Sequence, residues 1–343
     1  MDKANRNIIL FALLSIGVVF LFFLNISLGP VTIPIKEIFK SLTGGTASKE
    51  TWQYIIINYR LPKAITAILV GMGLSISGLL MQTLFRNPLA GPYVLGLSSG
   101  SSLGVAFVIL GSAYLPSVIG SFLISSYGII VASCLGSLMV LIAVLLVSQK
   151  LRDTTAILIV GLMFGSFTSA FVGVLTYFST AEQLQKFTFW SLGNLGNLSW
   201  TSIIILSISV LIGLALSLVS IKPLDALLLG ENYAKSLGLN YNKIQLVIIF
   251  ATSILAGSIT AFAGPIAFIG LAVPHIAKLT FQTSNHYILF WGTLLFGAII
   301  MLFCDIVSQA PGGDFTLPIN AITSIIGAPV VIWLLVRKRK MMA

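Results

Sequence analysis

The sequence predicts an all-α polytopic membrane protein of about ten transmembrane helices, and three observations carry that reading. Apolar runs of roughly 18–25 residues recur along the chain, each long enough to cross about 30 Å of hydrocarbon. Only 8% of the residues are charged and 57% are hydrophobic, with a mean hydropathy of +1.05, whereas soluble domains carry about 25% charge. The lysines and arginines sit singly in short loops and at span ends, apart from one cluster, Arg337-Lys338-Arg339-Lys340. That pattern explains the net charge of +10 through topology and anionic headgroups rather than nucleic acid.

The spans fall at about 8–28, 62–83, 93–111, 121–147, 154–178, 201–221, 243–263, 266–281, 288–308 and 318–336. An even number puts both termini on one side. That side holds 13 of the 19 Lys and Arg residues, which predicts that both termini are cytoplasmic. The first run, Ile8 to Leu28, follows Lys3 and Arg6 but lacks a small-residue cleavage site, so it reads as a retained first span.

The first outer segment, about 29–61, carries Ile35, Ile38, Phe39 and Leu42 at helical spacing behind Pro34. This predicts a short amphipathic helix along the interface. Arg60-Leu61-Pro62-Lys63 puts two cations at the outer mouth of span two. They suit either lipid headgroups or an acidic partner. Span two ends in a cytoplasmic turn at Phe85–Pro92, where Pro88 drives Asn87 away from helix.

Gly96, Gly100 and Gly104 in span three, and Gly161, Gly165, Ser169 and Gly173 in span five, repeat every four residues. Such ridges let helices pack backbone to backbone in lipid. Trp190 and Trp200 in the second outer loop, about 179–200, read as interfacial anchors.

The stretch Leu228–Tyr241 is short and polar, and it lies between two long apolar runs. It fits one or two short helices broken at Gly230 and Gly238. A structured cytoplasmic loop of about 222–242 offers either a surface for a soluble partner or a solvated linker.

Ile68-Leu69-Val70-Gly71 with Gly78 is echoed by Ile254-Leu255-Ala256-Gly257 with Gly264. Five spans separate the copies, which is the parity of an inverted repeat. Gly264-Pro265-Ile266 and Pro274 predict a broken eighth span, tolerated where protein covers the freed backbone groups. Asp305 is the one carboxylate well inside an apolar run. An intramembrane acid is a functional suspect, but its place near the outer end equally suits capping or local pairing. Cys134 and Cys304 lie in apolar runs, and with His275 and His286 as the only histidines the chain offers neither a disulfide framework nor a metal site.

From about residue 55 onward the sequence resembles the FecCD-type permease subunits of ABC importers for ferric siderophores, haem and cobalamin. The blocks that carry the resemblance are Arg60–Lys63, Gly78 through Asn87-Pro88-Leu89-Ala90 to Gly96, Trp190-Ser191-Leu192-Gly193 and Gly230–Gly238. Gly264 to Leu271, Pro274-His275, Leu317-Pro318 and Gly327-Ala328-Pro329 complete the set. The resemblance implies a multi-pass protein of the bacterial cytoplasmic membrane, two permease subunits (identical or related) around a central path, two ABC ATPase subunits and an extracytoplasmic substrate-binding protein. It also implies ATPase coupling at Gly230, Glu231, Ala234, Leu237 and Gly238, and a cytoplasmic gate at Asn87, Pro88, Leu89, Thr154 and Thr155. The binding protein would dock at Arg60 and Lys63. A further basic position of the family is Gln309 here, and Asn320 stands where glycine is usual.

The resulting expectation is a single permease domain over residues 1–343 with no catalysis and no cofactor of its own. No G-x-x-x-x-G-K-[ST] phosphate loop occurs in the chain, so ATP is expected on a partner. An ion-coupled secondary transporter would need ionisable groups near the bilayer midplane. An intramembrane enzyme would need a histidine, paired carboxylates or a Ser–Lys pair within the bundle.

Overall fold

The computed structural model describes residues 3–29, 31, 33–111, 123–150, 154–196, 198–309 and 316–340. In order they form α1 (Lys3–Ser27), α2 (Ile35–Leu42), α3 (Glu50–Ile55), a π-helical segment (Ile56–Arg60) and α4 (Leu61–Leu84). A 3₁₀ turn (Pro92–Leu95) leads to α5 (Leu97–Ile109), α6 (Ser126–Lys150), α7 (Thr154–Tyr177) and α8 (Ala181–Ser191). The chain continues as α9 (Trp200–Val219), α10 (Ile221–Leu228), α11 (Glu231–Ser236), α12 (Tyr241–Ala263), α13 (Ile269–Phe281), α14 (His286–Ser308) and α15 (Ile319–Lys340). Among the described residues seven helices are long and apolar enough to cross a membrane, and α5, α13 and the front of α15 are shorter apolar helices. Together they occupy the ten expected spans.

Span two begins well before residue 62, because the chain is helical without interruption from Glu50 to Leu84. Pro62 lacks an N–H and would ordinarily mark a boundary. Here the wide π turn directly precedes it, and such turns are tolerated inside longer helices. The segment before it holds the expected amphipathic helix α2, with Ile38 fully buried and Ile35 and Phe39 exposed.

Two compact units emerge, each assembled from separated stretches of chain. The first comprises Met1–Ile76, Asn194–Ile208 and Ile266–Ala343; the second comprises Ser77–Gly193 and Ser209–Pro265. In the first, α1 and α13 pack on α14, and the Phe11 and Phe281 rings lie 4.8 Å apart. Gly71 of α4 meets Gly297 of α14 so closely that a Cβ on either would collide with the other's carbonyl. In the second, α6 packs against α5 and α12. A Cβ on Gly100 would lie 2.5 Å from the Gly136 carbonyl oxygen. The small-residue ridge read from the sequence is therefore a backbone-to-backbone seam.

Several hydroxyls inside the apolar helices return to their own backbone. Ser75 donates to the Gly71 carbonyl, Ser253 to Ile249 and Thr260 to Ala256, which satisfies groups that lipid cannot. Trp190 does not stand in a loop: it lies on α8, stacks on Phe187 and packs against the cluster of Val105, Ala106, Ile109 and Leu110. That helix is begun by a capping box in which Thr180 and Gln183 serve each other's backbone N–H.

The eighth span is broken as expected. Helix α12 stops at Gly264, whose φ is 76°, and Phe268 takes a left-handed φ of 66° before α13 starts. Asn320 of α15 accepts a hydrogen bond from the Ala267 N–H at 3.0 Å. Asn320, where the resemblance implies glycine, therefore covers a backbone donor in the break.

Candidate functional site

Three groups of expected site residues occupy three places, two in the second unit and one in the first. In the second unit the polar stretch between α9 and α12 folds into the short helices α10 and α11. Gly230 separates them with φ 121°, a conformation that favours glycine. Glu231 opens α11, and its side chain lies outside the described residues. Ala234 is fully buried and anchors the helix from within. Leu237 ends it, and Gly238 follows with φ 79°.

The end of α11 is a Schellman turn. The Leu239 N–H donates to the Ala234 carbonyl and the Gly238 N–H to the Lys235 carbonyl. Both glycines predicted to break the stretch thus fix its ends. Leu229, Tyr233 and Leu237 are exposed at 67%, 46% and 57%. Large apolar side chains on and flanking a short polar helix form a contact surface of the kind a partner protein covers.

The turn after α4 carries Asn87, Pro88 and Leu89. The Asn87 side-chain oxygen accepts from the Leu89 N–H at 2.9 Å, and the Ala90 N–H donates to the Asn87 carbonyl. This side-chain-closed turn holds the residue pair ahead of the 3₁₀ segment. Gly96 then enters α5 with φ 74° and packs against the Gly161 carbonyl of α7. Gly161 is about two turns beyond Thr154 and Thr155, which open that helix; their side chains are outside the described residues.

Arg60 and Lys63 lie in the first unit. Arg60 is 8% exposed at the end of the π segment. Its guanidinium donates to the Ile26 and Ser27 carbonyls at 2.7 and 2.9 Å and to the Val31 carbonyl. A cation at those last carbonyls of α1 satisfies orphan acceptors and complements the helix dipole. The Lys63 ammonium lies 3.0 Å from the Asp305 carboxylate, which is almost fully buried. Asp305 also accepts from the amides of Asn25 at 2.8 Å and Gln309 at 3.0 Å. Its expected local pairing is a four-residue polar cluster joining α1, α4 and α14. Asn25 carried no signal in the sequence, since its partner is 280 positions away.

With this geometry in hand, comparison with known proteins is direct. Residues 17–337 match the model of the FecCD transport family. The hemin transport system permease protein HmuU of Yersinia pestis is 32% identical over 328 residues, covering 95% of this chain and 96% of that one. The vitamin B12 import system permease protein BtuC of Vibrio parahaemolyticus is 34% identical, covering 83% of each. A solved structure described as an inward-facing, metal-chelate-type ABC transporter superimposes with a TM-score of 0.83. It is 29% identical and covers 96% of this chain and 99% of its own. Ten apolar helices, the broken eighth span and these alignments agree: the chain belongs to the FecCD transport family.

Proposed function

We propose that the chain is the membrane-spanning permease subunit of a binding-protein-dependent ABC importer for a metal chelate. The observation that carries this is α11. It is a short helix closed by a Schellman turn, with Tyr233 exposed on it and Leu229 and Leu237 exposed on either side, and it supports the reading of Gly230, Glu231, Ala234, Leu237 and Gly238 as the ATPase-coupling element. In this reading α11 faces the cytoplasm and both termini do too, in a bacterial cytoplasmic membrane.

The mechanism is alternating access. ATP binding and hydrolysis on separate ATPase subunits move α11, and the spans rock around a path shared with a second permease subunit, identical or related. Nucleotide biases the two states only through contacts that differ between them. Asn87, Pro88, Leu89, Thr154 and Thr155 form the inner gate. An acidic extracytoplasmic binding protein docks near Arg60 and Lys63; both cations already have partners within the chain, and Lys63, whose side chain is 19% exposed, is the one that keeps a solvent-facing side.

The substrate in this proposal is a ferric siderophore first, with haem or cobalamin as the alternatives that the named relatives support. Uptake by proteoliposomes tests the proposal: transport should require added ATPase subunits and ATP and should survive collapse of ion gradients. Uptake driven by a gradient alone would refute it. A panel of labelled ferric siderophore, hemin and cobalamin then assigns the substrate. Gly238→Trp should leave membrane insertion intact and abolish ATPase association.

A further inference from the structure

A polar cleft of about 370 Å³ opens in the second unit between the end of α4 and the α10–α12 segment. Phe85 and Arg86 form one wall, and Gly230, Asn232, Tyr233 and Tyr241 form the other. Arg86 is exposed, and its guanidinium makes no hydrogen bond, ion pair or ring contact with the described residues.

Its position is unusual on two counts. Arg86 has φ 46°, a left-handed conformation that glycine or asparagine adopts at lower cost after a helix end. Its Nη2 also lies 3.5 Å from the point where a Cβ on Gly230 would sit, an ordinary contact distance that places the guanidinium beside the start of α11. A second cation lies behind the opposite wall, where the Lys235 ammonium sits 5.9 Å from the centre of the ring of Tyr241, a lining residue. A planar fork of donors, unpaired among the described residues, in a polar cleft fits a carboxylate, which it binds through two parallel bonds.

We propose that this cleft receives an aspartate or glutamate side chain of the ATPase partner, held by Arg86. The assignment rests on α11 being the coupling element, because Gly230, Asn232 and Tyr233 belong to both surfaces. It adds a specific consequence. Arg86 immediately precedes Asn87, so one partner carboxylate grips the coupling helix and the gate turn together. The push from the ATPase then reaches the turn directly as well as through α11.

The test measures ATPase affinity for the full-length permease in nanodiscs at low and high salt. Arg86→Glu should weaken association by roughly tenfold or more at low salt, with a smaller loss at high salt. Arg86→Lys should retain part of the affinity, and Arg86→Gln gives the neutral comparison without reversing charge. A matching Asp or Glu→Arg change on the ATPase surface should restore binding to Arg86→Glu. Unchanged affinity of Arg86→Glu and Arg86→Gln at low salt, while Gly238→Trp abolishes binding, would overturn the cleft assignment and leave the coupling reading standing. Unchanged affinity in all three variants would overturn both. A loss seen in anionic nanodiscs and absent from zwitterionic ones would assign the cleft to a lipid phosphate and overturn the carboxylate of the ATPase.

Discussion

Lys63 and Asp305, 242 positions apart in sequence, form an ion pair at 3.0 Å in which the carboxylate is 1% exposed. Asn25 and Gln309 supply further donors to the same carboxylate, so removing the ammonium leaves a buried charge only partly compensated. Lys63→Met should lower the stability of the detergent-solubilised protein by about 3 kcal/mol, near the low end for a broken buried pair because the lysine keeps some solvent. Lys63→Met with Asp305→Leu should recover most of that loss. Equal melting of the single and double variants would show that the pair is not the source.

Asn320 supplies the acceptor for the Ala267 N–H in the broken span. Asn320→Gly, which installs the residue the resemblance implies there, should cost about 1 kcal/mol and increase protease sensitivity between Gly264 and Phe268. Asn320→Asp keeps the acceptor and should show less of both effects.

Gly71 and Gly297 bring α4 and α14 into backbone contact. Gly71→Val forces those backbones apart, and overpacking typically costs about 1–3 kcal/mol. The expected value is at the upper end, since the colliding atom is a carbonyl that no rotamer change can move. Thermal unfolding in detergent measures it, with Gly173→Ala, at an open helical site, as the control for loss of glycine alone.

Glu37 accepts hydrogen bonds from the Ser48 hydroxyl at 2.6 Å and from the Ser48 N–H at 2.7 Å. These bonds hold its carboxyl below the usual value of 4.5, with smaller help from Lys40 and Lys36. A lowered folded-state value means the link between α2 and residue 48 is complete above pH 4.5 and is lost as pH falls through the lowered value. The Ser48 amide signal in a ¹⁵N-serine-labelled sample should titrate with a midpoint below 4.5. In Ser48→Ala, the Glu37 carboxyl carbon signal should titrate closer to 4.5.

Seven spans were legible because their apolar helices are long enough to cross a bilayer, and the three shorter ones because turn residues bound their apolar runs. The ends of α11 were legible for a different reason: Gly230 and Gly238 carry the positive φ values that stop a helix. Helix α8 escaped a reading based on apolar period because its sequence has little of it. The Thr180 and Gln183 capping pair was the signal available. The early start of span two escaped because Pro62 reads as a boundary, and only the π turn before it reveals otherwise. The partners of Arg60, Lys63 and Asp305 were out of reach altogether. Hydropathy and spacing describe the face of a helix, and these contacts depend on which distant helix meets it. Arg86 was hidden by its neighbour, since Pro88 accounts for the turn without asking what the arginine does there.

The Gly100–Gly136 seam has a mechanical corollary. Two helices whose peptide groups touch have no side chain between them to compress, so a push on α5 at Gly100 meets the α6 backbone at Gly136 directly. Displacement imposed at Gly96 is carried along the full 25-residue length of α6 instead of being absorbed by side-chain give. Compliance in the second unit therefore belongs at its turns, where the chain already bends.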